Sequence, residues 1–158
     1  MNKIIFSIPS LEEEKFLVNK LVLSRLAFLK KKGIIFTLPK TSVAEEYSPT
    51  QLEIFKQKLK KEWRVLNNNF FKKIESFFGI TITEPFLVHV SNYGPLGHYL
   101  YKTRHVFINI HIEEKGFKTV KTVKHEIVHL IIEPFLHRYN IDYQKKEKVV
   151  NAIVDLFE

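Results

Sequence analysis

The segment Lys124-His125-Glu126-Ile127-Val128-His129-Leu130 sets two imidazoles four residues apart, with a carboxylate directly after the first. On a helix, residues four apart stand on one face a turn apart, so both rings can reach a single metal ion. The residue after the first histidine falls in a neighbouring sector. There its carboxylate can touch a water held by the ion rather than the ion itself. The chemistry such a set supports is amide hydrolysis by an activated water, with His125 and His129 as ligands of Zn2+ and Glu126 as general base. The competing reading is a surface helix with two solvated histidines and a glutamate.

A catalytic zinc site with one open position needs a third protein ligand. Glu133 continues the four-residue step, but eight helical residues rise about 12 Å, too far for an ion already flanked by both histidines. It also precedes Pro134, where helical backbone is disfavoured, and so reads as a helix-end surface carboxylate. His137, just past the expected break, is the second choice. Glu147 is the first. Asn151 and Asp155 follow it at four-residue steps, so three polar groups share one face of the last expected helix. Asn151 or Asp155 would then accept the free ring N–H of a ligand histidine and fix its tautomer. Against this, Glu147 lies in the charged run QKKEKVV, where an exposed side chain is ordinary. For an oxyanion formed during hydrolysis the candidate donors are Tyr139, Tyr143, His137 and Arg138, with a tyrosine preferred.

These residues need elements to hold them. Val120, Val123, Ile127, Leu130 and Ile131 repeat at helical spacing, which predicts a helix from about Thr119 to Ile132, capped by Thr119 or Thr122 and broken by Pro134. A final helix is expected over about Tyr143 to Leu156. Upstream, ITITEPFLVHV and HVFINIHI are rich in β-branched and aromatic residues, and SNYGPLGHYLYKTR between them holds turn residues and a further candidate strand, YLY. Residues 80–112 therefore predict a small, mainly antiparallel sheet. Before it, Ser10 with Glu13 looks like a capping box opening a helix over about 10–31, stopped by Gly33. GIIFTLP reads as a short strand ended by Pro39. Ser48-Pro49-Thr50-Gln51 opens one long amphipathic helix over about 50–78, ended by Gly79. The fold class expected is α+β in a single domain spanning 1–158, with a helical N-terminal part (1–79) of unassigned role.

Composition narrows the chemistry further. The chain has 158 residues, is 45% apolar and contains no cysteine. Thiolate zinc sites are thereby excluded, and a metal must be held by histidine and carboxylate. The amino terminus has only a short apolar run before Pro9 and then three glutamates, unlike a secretory signal, and no run reaches membrane-span length. A cytoplasmic location without a membrane partner is the expectation. The net charge of +8 is spread through many lysine clusters at the spacing of solvated helix faces. That favours a lysine-rich surface over a nucleic-acid groove and leaves room for an acidic partner.

HEIVH followed by a helical Glu147 resembles the gluzincin zinc metallopeptidases, especially their minimal-scaffold members. Gly97-His98-Tyr99 with Val106-Phe107-Ile108-Asn109 is similar to the sheet edge above the active-site helix of such enzymes. The resemblance covers residues 97–156; residues 1–79 do not take part in it. It implies a small zincin-like catalytic part over 80–158, Zn2+ on His125, His129 and Glu147, Glu126 as general base and acid, and a peptide or protein substrate. The strand around Val106–Ile110 would bind an extended peptide by adding it to the sheet edge. Lys146 stands where the family usually has asparagine before the glutamate ligand, and Ile132 excludes the metzincin pattern, which needs glycine there. Two other readings compete: a regulatory or partner-binding protein that keeps the metal site with little peptidase activity, and a basic nucleic-acid-binding domain.

Overall fold

The computed structural model describes residues 3–66 and 69–158. The chain starts with a strand that the sequence reading lacks, β1 (Ile4–Ser7), followed by α1 (Leu11–Leu17). The expected capping box is present: Glu13 N–H donates to the Ser10 hydroxyl, and the Ser10 N–H to the Glu13 carboxylate. The helix expected over 10–31 is interrupted. A π-turn (Val18–Val22) and a 3-10 turn (Leu23–Arg25) precede α2 (Leu26–Lys31), and Arg25 leaves helical geometry at φ −118° and ψ 11°. Gly33, at φ +65°, turns the chain out of α2 as expected.

β2 (Phe36–Thr37), α3 (Val43–Glu46), α4 (Pro49–Leu66) and α5 (Phe70–Phe78) follow. The single helix expected over 50–78 is two, because Asn69 stands at φ −132° and ψ 0°, outside helical space. Residues 67–68, through which that expectation also ran, lie outside the described residues. Gly79 ends α5 in the left-handed conformation, as its type and position predicted.

β3 (Phe86–Ser91), β4 (Gly94–Pro95), β5 (Gly97–Leu100) and β6 (His105–Asn109) lead into α6 (Thr119–Arg138) and α7 (Tyr143–Leu156). The architecture is α+β with a small mixed sheet of order β1-β3-β6-β5, and β2 pairs separately with β4. The mainly antiparallel sheet expected is therefore corrected. In this four-stranded sheet β1–β3 and β3–β6 are parallel, and only β5–β6 is antiparallel. The cause is β1, which joins the sheet from the N-terminal part, and β5, which forms a hairpin with β6 and so brings β6 back alongside β3. The first 79 residues are accordingly not purely helical.

One face of the sheet carries Val88, Val90, Val106 and Ile108, all fully buried. They form a common core with Leu52, Leu59 and Trp63 of α4, Ile74 of α5, Val123 and Ile127 of α6, and Val150 and Val154 of α7. N- and C-terminal parts thus share one core. Trp63 meets Phe6, Phe70 and Phe71 at ring separations of 6.0–6.3 Å, which fastens α4 and α5 to β1.

α6 runs through Pro134 instead of ending at it. An interior proline removes one helix hydrogen bond and costs about 3 kcal/mol. Ile132, Glu133 and Leu136 around it are all buried, and their packing offsets that cost. Neither threonine caps the helix: the N-cap position is Lys118, while Thr119 donates to Glu113 and Thr122 to the Lys118 carbonyl. Asp142 caps α7 by accepting the Lys145 N–H at 3.0 Å. Among the described residues no helix is long and apolar enough to cross a membrane.

Candidate metal centre

α6 and α7 pack side by side, and this brings Glu147 onto the two histidines of α6. Glu147 Oε2 lies 3.2 Å from His125 Nε2 and Oε1 lies 3.2 Å from His129 Nε2. The two Nε2 atoms are 3.0 Å apart. Ligands at zinc bond lengths of about 2.0–2.1 Å in tetrahedral array stand about 3.3 Å from one another. The three donors thus form a triangle of the size that a small tetrahedral cation requires. Among the described residues these three alone form such a His/carboxylate group. Two neutral imidazoles and one carboxylate are a donor set that suits a divalent transition metal, zinc among them.

Electrostatics agree with a site for positive charge. Burial works against an ionised Glu147, yet its bonds to His125 and His129 pull its pKa down to about 2. Burial also opposes protonation of His125, but Glu147 and the nearby Glu126 carboxylate hold its pKa above the ordinary value. His129 is lowered, with burial the main cause. Two protonated rings cannot face each other at 3.0 Å, so the stable arrangement is an ionised Glu147 before rings that share at most one extra proton.

Glu126 is only 7% exposed. Desolvation raises its pKa to about 7, His125 and Lys146 working against the rise and Glu147 with it. A carboxylate so placed accepts and releases a proton near neutral pH. Its setting depends on Gly97 of β5. A Cβ there would stand 2.5 Å from Glu126 Oε1 and 2.6 Å from Thr122 Cγ2. Only glycine lets the sheet edge come down onto α6 at this point.

The surrounding shell differs in part from the sequence reading. Asn151 lines the cleft beside His125 and favours its protonated form. Asp155 lies away from the rings and pairs with Lys121 at 2.7 Å. His129 Nδ1 is buried with no hydrogen-bond partner. His137 does not reach the cluster. Its ring is largely exposed and sits 3.1 Å from Glu133. Glu133, expected at the surface, is buried, because α6 continues past Pro134 and carries it inside. It accepts from Tyr99 Oη at 2.8 Å and pairs with Lys146 at 2.6 Å. Lys146 also bonds Tyr99 Oη. Tyr99 and Lys146, to which the sequence assigned no role in the site, thus border it from β5 and α7. The GHY step of the expected sheet edge was the available signal for Tyr99. Nothing in sequence marked Lys146 as Glu133's partner.

Two cavities flank the donor triangle. One, of about 480 Å³, is lined by Ile34, Ile35, Phe117, Lys118 and Lys121 beside His125, Glu126 and Glu147. The other, of about 390 Å³, is lined by Arg25, Phe28, Tyr143 and Lys146 beside the same residues and His129. Tyr143 therefore lines the cleft, whereas Tyr139 is 70% exposed beyond the end of α6 and Arg138 is exposed next to it. The strand around Val106–Ile110 offers no free edge, because β6 lies between β3 and β5. The edge strands are β1 and β5, and of these β5 lies against α6. No family model matches the chain, and no curated protein or solved structure matches it.

Proposed function

We propose that this chain is a zinc-dependent peptidase of the gluzincin type on a small zincin-like scaffold, in which His125, His129 and Glu147 hold the ion and Glu126 is general base and acid. The observation that carries the reading is the donor triangle, with separations of 3.0–3.2 Å, beside a desolvated glutamate. A bound zinc supplies water acidified toward a pKa of ~7 and a polarised carbonyl. Glu126 takes the water's proton on its carboxylate and returns it to the departing amine. Asn151 holds the His125 ring in orientation, and Tyr143 is the candidate donor to the oxyanion.

An extended peptide adds to the outer edge of β5, over Gly97–Leu100. This edge ends at Leu96, whose N–H already donates to the Ile35 carbonyl at 3.3 Å. The test is cleavage of a mixed peptide library by zinc-loaded protein and by its Glu126→Gln variant. Turnover by the first, and none by the second with zinc retained, is the expected result; equal turnover removes Glu126 from the mechanism.

One observation favours a second reading, a protein kept latent by its own N-terminal part. Arg25, Phe28, Leu29 and Ile34 wall the cleft, and Lys32 lies over the Tyr143 ring at 5.3 Å from its centroid, reaching across to α7. Lys32→Ala would raise turnover if this wall limits access.

A further inference from the structure

The charged groups around the cleft, apart from Glu126 and the ligand Glu147, are all cations: Arg25 and Lys146 on one side, Lys118 and Lys121 on the other. Two of the four are neutralised locally. Lys146 is tied to Glu133 at 2.6 Å, and Lys121 to Asp155 at 2.7 Å and Glu158 at 3.3 Å. Arg25 and Lys118 have no carboxylate within salt-bridge distance among the described residues and are exposed. The Arg25 guanidinium lies over Phe28, 5.2 Å from the ring centroid, and its charge reaches His98 and Tyr143 in the cleft wall.

Two cations without a carboxylate partner among the described residues therefore line the cavities beside the donor triangle, one in each. With a divalent cation bound, the two neutral rings and one carboxylate leave the site itself positive. A cleft lined by one sign of charge concentrates ligands of the other sign. Ile34, Ile35, Phe28 and Phe117 add apolar stretches to the wall, which suit side chains next to the acidic ones.

We infer that the substrates are acidic peptides, with an Asp or Glu on each side of the scissile bond, one set against Arg25 and the other against Lys118. The inference rests on the peptidase reading above and specifies its substrate class. An extended peptide along β5 crosses the triangle and meets both cavities, so both cations are within its course. A nucleic-acid strand offers the same negative charge. The apolar stretches of wall and the main-chain edge of β5 favour a peptide, which can use that edge.

The experiment is binding of fluorescently labelled peptides to full-length zinc-loaded Glu126→Gln protein, followed by anisotropy at low and high salt. Three sequences differ only at the flanking positions, which carry Glu, Gln or Lys. The Glu peptide is expected to bind at least about tenfold tighter than the Gln peptide, with the advantage shrinking at high salt. Arg25→Glu with Lys118→Glu, both exposed substitutions, is expected to abolish or invert the preference while zinc content and thermal midpoint stay unchanged. Equal affinity for the three peptides, or an unchanged preference in the double variant, overturns the inference. So does a single-stranded oligonucleotide that displaces the Glu peptide at lower concentration than unlabelled peptide. Preference for the Glu peptide without cleavage of any peptide by the wild type supports the acidic-peptide selectivity of the cleft and overturns the hydrolase reading. Cleavage without acidic preference does the reverse.

Discussion

Tyr99 lies face to face with His129, ring centroids 4.9 Å apart and planes 13° apart. A ligand histidine is ordinarily oriented by a hydrogen bond from its other ring nitrogen. His129 Nδ1 has none, so in the proposed metal site the stack would do that work, and Glu133 and Lys146 hold the tyrosine hydroxyl in turn.

Tyr99→Ala is therefore expected to weaken zinc binding about 10–100-fold, the range seen when groups behind a metal ligand are removed. Tyr99→Phe keeps the ring and should lose less. Competition against a chelator of known affinity reads both. Wild-type affinity in Tyr99→Ala would show that His129 needs no support from β5.

Gly97→Ala separates metal binding from turnover. The added methyl meets the Glu126 carboxylate, not the ligands. Zinc content should be retained, while kcat falls at least about tenfold as the base is displaced. Unchanged kcat would mean that Glu126 moves aside without consequence.

Glu133 and Lys146 form a pair whose side chains are 10% and 15% exposed. Removing one partner of such a buried pair strands the other, at a cost of about 3–5 kcal/mol. Glu133→Ala should lower the urea midpoint accordingly. Glu133→Leu with Lys146→Met should recover much of the loss, since apolar replacement leaves no stranded charge. A single variant as stable as the wild type would contradict the role given to this pair.

Acid should loosen the sheet. Burial lowers the pKa of His89 and of His98 to about 4, from 6.5. Both therefore bind protons more weakly folded than unfolded, so their contribution is fully present above pH 6.5. It is lost as pH falls from 6.5 towards 4, at no more than about 1.4 kcal/mol per pH unit for each group. Urea titrations of metal-free protein at pH 7, 6 and 5 should show this slope. His98→Asn should flatten it, and an unchanged slope would place the acid sensitivity elsewhere.

Local signals carried the reading of sequence where they agreed with tertiary structure. HEIVH, the capping box at Ser10, the left-handed Gly79 and the span of α7 all follow from spacing and residue type. What escaped depends on distant partners. β1 exists because Ile4–Ser7 pairs with Phe86–His89, a relation with no local mark. The passage of α6 through Pro134 rests on burial of its neighbours, and it alone takes Glu133 inside to meet Lys146. Gly97 could be seen as a glycine, but not as the point where a sheet edge rests on Glu126.

The most direct measurement is metal content by elemental analysis of wild type, His129→Ala and Glu147→Ala, each purified in the presence of zinc. One zinc per wild-type chain, with loss in both variants, is the result expected from the donor triangle. Wild type without stoichiometric metal, or variants that keep it undiminished, would falsify the assignment of His125, His129 and Glu147 as a metal centre.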